Sequence, residues 1–124
     1  MNNILYTRVS TNDQGSQSLN AQTQLCLNFM NSKGLTLNVH YSEIGSAYSG
    51  KQKVLNKLIG KHSNSVLYVL NVSRFSRNIQ EGLNMLKDTA NRNIRVMFIE
   101  EQLDSMNKSH AHQIRVKLSE AQQE

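Results

Sequence analysis

A chain of 124 residues fits one domain around one hydrophobic core and is too short for two ordinary ones. Its formal net charge of +5 favours an anionic partner, although charge alone does not separate a nucleic-acid binder from a basic solvated surface. Hydrophobic residues make up 38%, Pro and Trp are absent, and no run approaches the ~18 apolar residues of a membrane helix, so no membrane partner is expected. The single Cys26 rules out an intrachain disulfide and, in an apolar helical stripe, reads as a buried inert thiol. The Asn-rich opening, interrupted by Arg8, does not read as a signal peptide, so a reducing, cytoplasmic setting is expected.

Ile4-Leu5-Tyr6-Thr7-Arg8-Val9 predicts a buried strand running into a polar turn, which puts Ser10 at the strand's carboxyl end. Ser18 reads as the N-cap of a helix carrying Leu19, Gln22, Cys26, Phe29 and Met30 on one face, stopped by Gly34. Alternation over 35–41 predicts a second strand, followed by a glycine-flanked loop and a short helix with Leu55, Leu58 and Ile59 inward. The continuous apolar run 66–70 predicts a strand covered on both faces. Asn78 with Glu81 resembles a capping box opening a helix whose stripe is Ile79, Leu83, Leu86 and Ala90. A strand over 94–99 follows, then a polar segment, 105–110, and a last helix with Ile114, Leu118 and Ala121 on one face.

Strand and helix alternate, so an α/β fold with parallel strands and crossover helices is expected. In such sheets ligands bind at the carboxyl ends of the strands. That edge collects Ser10, the loop 46–53 and the loop 73–77, and with them Arg8, Lys51, Lys53, Arg74 and Arg77. One hydroxyl among several cations suits phosphoryl transfer, because guanidinium groups hold phosphate oxygens in pairs and offset the charge of the transition state. Taken alone, a serine after a strand is more often a turn residue or a cap, and arginines are more often surface charges.

The motifs as a set resemble the serine site-specific recombinases of the resolvase/invertase family. Tyr6-Thr7-Arg8-Val9-Ser10-Thr11, Gln14, Ser18-Leu19-Asn20-Ala21-Gln22, Glu43-Ile44-Gly45-Ser46 and Ser73-Arg74-Phe75-Ser76-Arg77-Asn78 follow the family's order over essentially the whole chain. The resemblance implies a three-layer α/β fold with a mostly parallel central sheet of about four strands flanked by helices. It implies that Ser10 attacks DNA and forms a 5′-phosphoserine bond. Arg8, Arg74 and Arg77 hold the scissile phosphate, and Tyr6, Gln14, Gln22 and Ser46 support the site. No metal or nucleotide cofactor is implied. The partners are double-stranded DNA and, in the full-length protein, further copies in a dimer or tetramer. Residues 1–104 would be the catalytic domain and 105–124 the start of an oligomerisation helix, with a DNA-binding domain lying beyond this chain.

Two positions depart from the pattern. Gln52 falls where the family has an arginine, with Lys51 or Lys53 as candidate substitutes, and Ser73 falls where it has an aspartate. Both bear on catalytic competence, so a decayed recombinase domain serving as a DNA-associated assembly module is the alternative reading. An unrelated phosphate-binding enzyme is a third, disfavoured by the lack of a glycine-rich phosphate loop. His110 and His112 lack further ligands at metal spacing and read as solvated histidines. Tyr48 reads either as a base-stacking ring or as a loop cover.

Overall fold

The computed structural model describes residues 1–10, 18–45 and 52–124. Strands β1 (Asn2–Val9), β2 (Val39–Ile44), β3 (Ser65–Val69) and β4 (Ile94–Phe98) run parallel, and a short antiparallel β5 (Leu103–Asp104) extends the sheet in the order β2-β1-β3-β4-β5. Helix α1 (Leu19–Ser32) covers one face. The other carries α2 (Lys53–Lys61), a single turn α3 (Val72–Phe75), α4 (Ile79–Asn91) and α5 (Ala111–Gln123). This is the expected three-layer α/β fold, with the small antiparallel strand added at one edge.

Alternation along β1 divides the core. Ile4 and Tyr6 point into the larger cluster with Leu55, Leu58, Phe75, Phe98 and Leu118, while Leu5 packs under α1 with Cys26 and Met30. Cys26 is fully buried, and that burial pushes its thiol up to about 12, so it stays protonated. Ser18 caps α1 by accepting from the Ala21 N–H at 3.1 Å, and Gly34 ends that helix with φ +69°.

The structure shifts three sequence expectations. The second strand is Val39–Ile44 rather than 35–41, because Leu35 and Leu37 pack on the α1 side whereas Val39 and Tyr41 face the opposite cluster. The chain therefore changes facing around Asn38, which bonds to Asn3, and the regular register with β1 begins at Val39. The segment 73–77 is not all loop, since it contains most of α3. On α4 the fully buried row is Gly82, Met85 and Thr89, with Ile79, Leu83 and Leu86 flanking it and Ala90 exposed.

The rotation of α4 has a steric cause. A Cβ on Gly82 would lie 2.7 Å from Leu118 Cδ2 and 3.3 Å from Ser76 Cβ, so the missing side chain lets α5 and the α3–α4 connection close on the helix. Ile114 and Leu118 thereby join α5 to the main core. Gly82→Leu is expected to destabilise the domain by about 1–3 kcal/mol or more through overpacking, read as a lower denaturation midpoint in urea at unchanged m value.

Candidate active site

The strand order makes the site. The chain moves to one side of β1 to form β2 and to the other side to form β3, so the carboxyl end of β1 is a topological switch point. Ser10 follows β1 directly at that point and is half-buried. The Val9 carbonyl accepts from the Gly45 N–H at 2.9 Å, which holds the end of β2 beside Ser10. On the other side β3 pairs with β1 only up to Leu5. The Gln22 side chain from α1 completes the ladder there: its Oε1 accepts from the Arg8 N–H at 3.1 Å, and its Nε2 donates to the Arg8 carbonyl at 3.0 Å. Gln22 is fully buried, so its amide replaces strand pairing just before Ser10.

Arg8 is 1% exposed, among the most deeply buried side chains in the domain. Its Nε donates to the Arg74 carbonyl at 3.2 Å, one terminal nitrogen to the Gly45 carbonyl at 2.8 Å, and the other to the Ser73 carbonyl at 2.9 Å. A guanidinium has five N–H donors in a fixed plane. Its hydrogen bonds therefore join β1, the end of β2 and α3, and bring the Arg74 segment to Ser10.

A second polar link lies on the same face. Arg8 and Glu43 are register partners on β1 and β2. The Glu43 carboxylate accepts from the Tyr6 hydroxyl at 2.7 Å and from the N–H groups of Val54 at 3.0 Å and Leu55 at 3.3 Å, which fixes the first turn of α2. Burial, then the bond to Glu43, raises the Tyr6 phenol above its ordinary range, so it remains a neutral donor. Gln52 is 2% exposed and points inward: its Nε2 donates to the Phe75 carbonyl at 2.7 Å and approaches the Tyr6 hydroxyl at 3.4 Å. Its Oε1 is buried and makes no hydrogen bond among the described residues. The residue standing at the family's arginine position thus links α2 to α3.

The turn α3 is held at its amino-terminal end by two side chains. Asn71 accepts from the Arg74 N–H at 3.0 Å and from the Ser73 hydroxyl at 3.0 Å, and its amide donates to Glu100 at 2.8 Å. The Glu101 carboxylate receives the Val72 N–H at 3.1 and 3.2 Å. Arg74 is largely buried, whereas Arg77 lies nearer the surface and pairs with Glu124 at 3.4 Å. Lys53 is exposed at the start of α2. Gln14, Ser46, Tyr48 and Lys51 lie outside the described residues. The His110 Nδ1 accepts the Asp104 N–H at 3.0 Å, a turn-closing role.

Ser10, Arg8, Tyr6, Gln22 and Arg74 therefore belong to one frame, and Arg77 follows on the α3–α4 connection. Reasoning from sequence passed over Asn71 and Glu101, which hold α3 in place. An Asn one residue before Val72 is a cap signal, but it opens a helix of only four residues, too short for periodicity to reveal.

The family model described as "Resolvase, N terminal domain" matches residues 3–124. This chain belongs to that family. Its fold is shared by solved catalytic domains of serine recombinases. The N-terminal catalytic domain of TP901-1 integrase is similar at 21% identity and TM-score 0.73, over 99% of this chain and 95% of that one. A resolvase family site-specific recombinase from Streptococcus pneumoniae is similar at 23% identity and TM-score 0.67, over 99% and 88%. The C-terminal catalytic domain of ISC1926 TnpA, an IS607-like serine recombinase, is similar at 20% identity and TM-score 0.66, over 80% and 70%. No curated protein sequence matches. Among the described residues no helix of this resolvase-family domain is long and apolar enough to cross a membrane.

The cap on α3 gives the domain a pH signature. Burial, opposed by the Val72 N–H, raises the Glu101 carboxyl above its ordinary value of 4.5. The folded state therefore holds the proton more tightly than the unfolded chain, a contribution fully present below about pH 4.5 and lost as pH rises through the raised folded value. Glu101→Gln keeps an acceptor for the Val72 N–H and removes the titration. Urea denaturation across that window is expected to show a flatter stability profile for the variant, and an unchanged profile would contradict the assignment.

Proposed function

We propose that this domain cuts and rejoins double-stranded DNA at specific sites through a covalent bond between Ser10 Oγ and a DNA 5′ phosphate. In the forward step Oγ attacks phosphorus as its proton leaves, the bond from phosphorus to the 3′ oxygen breaks, and that oxygen departs as a 3′ hydroxyl. One phosphodiester replaces another, so a second 3′ hydroxyl can reverse the step without a cofactor. The observation that carries this reading is the placement of Ser10 at the switch point, with the arginine-bearing segment drawn to it by the Arg8 hydrogen bonds.

Arg74 and Arg77 are assigned to the phosphate oxygens. Arg8 orients their segment and adds its charge to the field that favours an alkoxide. Tyr6, Gln22, Gln14 and Ser46 support the site, and Lys51 or Lys53 stands closest in sequence to supply a missing cation. Residues 105–124 serve assembly into dimers or tetramers, and target choice comes from a domain outside this chain.

A second reading, a decayed domain that retains assembly or DNA association, draws on Gln52 and Ser73. Gln52 is neutral and buried, and Ser73 offers a hydroxyl bonded to Asn71 where the pattern has a carboxylate. Loss of one charged contact to a transferring phosphoryl costs on the order of a hundredfold or more in rate.

The discriminating experiment incubates the protein with duplex DNA from the ends of its own genetic element and traps protein joined to 5′ ends by denaturation. Cleavage chemistry predicts an adduct that disappears with Ser10→Ala while the fold is retained. A folded, DNA-binding protein that forms no adduct supports the decayed domain, most firmly if Gln52→Arg with Ser73→Asp creates one.

A further inference from the structure

Helix α2 presents Leu55, Leu58 and Ile59 to the core and turns Lys53, Lys57 and Lys61 outward, all three exposed. Their spacing of four residues aligns them in one row, with successive side chains about 6 Å apart along the helix axis. The helix contains no acidic residue, and among the described residues none of the three lysines pairs with a carboxylate. Like charges at this spacing destabilise a helix by about 0.2–0.5 kcal/mol per pair, so the row is a small cost to the fold that no ion pair among the described residues offsets.

The position of the row gives it a direction. The first turn of α2 is pinned by Glu43 and Gln52 to Tyr6 and Phe75, beside the candidate active site. From there the helix runs toward the opposite edge of the sheet, ending before β3 begins. Lys57 and Lys61 therefore extend the positive charge away from the switch point along the flank of the domain. Arg92, whose guanidinium donates to the Gly60 carbonyl at 3.2 Å, adds a cation at the far end of the same helix, and Asp88 is the acid in the groove between α2 and α4.

The geometry points to the α2 lysine row as a backbone-tracking surface for duplex DNA, gripping phosphates on the segment that leads away from the cut. It rests on the reading of this domain as one that acts on DNA. Such contacts carry no base preference and act through counterion release, so their signature is in the salt dependence of binding. The test measures fluorescence anisotropy of a labelled duplex with the wild-type protein, Lys57→Gln/Lys61→Gln, and a charge-matched control, Lys33→Gln/Lys108→Gln. Lys53 is left intact because it stands near the proposed chemistry.

Each lost phosphate contact lowers the slope of log K against log salt by about 0.9, so the α2 variant is expected to lose about 2 units of slope and to bind more weakly at equal salt. The control is expected to keep the wild-type slope, and both variants to keep the wild-type far-ultraviolet dichroism. An α2 variant with unchanged slope, or two variants with equal losses, overturns the row as a specific surface while leaving DNA binding intact. A wild-type protein that binds no duplex at low salt overturns both this inference and the proposed function.

Discussion

A charge withdrawn from water organises the catalytic edge. Arg8 is 1% exposed, and a guanidinium at that depth is tolerable only when its donors are engaged. It engages carbonyls from the end of β2 and from α3, segments that lie far apart in sequence. Backbone carbonyls are the natural acceptors here, because the end of β2 and the last turn of the short α3 leave them without backbone partners. The same bonds keep the positive charge of Arg8, two residues before Ser10 in the chain, against the Arg74 backbone.

Around that guanidinium the polar groups form a connected frame within an otherwise apolar core. Gln22 completes the last backbone pairing of β1, Glu43 joins Tyr6 to the start of α2, and Gln52 joins α2 to Phe75. Each link satisfies a group that the end of a strand or helix would leave bare. The frame is costly to break in parts, since removing one partner strands another buried donor or acceptor. The position of Ser10 and of the α3 segment is therefore set by packing and by these hydrogen bonds.

The layers of the fold were legible because they rest on local chemistry. Ser18 capping α1, Gly34 ending it, the apolar run of β3 and the inward face of α5 are all short-range signals, and they stand as expected. The facing change near Asn38 and the rotation of α4 toward Gly82 were not legible, because both depend on which distant element packs against the segment. Ser10 and the arginines were marked by motif. That Arg8 gives three hydrogen bonds to carbonyls, and that Gln52 lies inside the frame, depends on partners between 23 and 66 residues away.

The most direct test of this account is equilibrium urea denaturation of Arg8→Met beside Arg8→Lys. Arg8→Met leaves three carbonyls without their donor, and a loss on the order of 3–5 kcal/mol is expected. Arg8→Lys recovers only part of it, because an ammonium cannot span three carbonyls held in a plane. Wild-type stability in both variants would contradict the account and leave Arg8 as a ligand for phosphate alone.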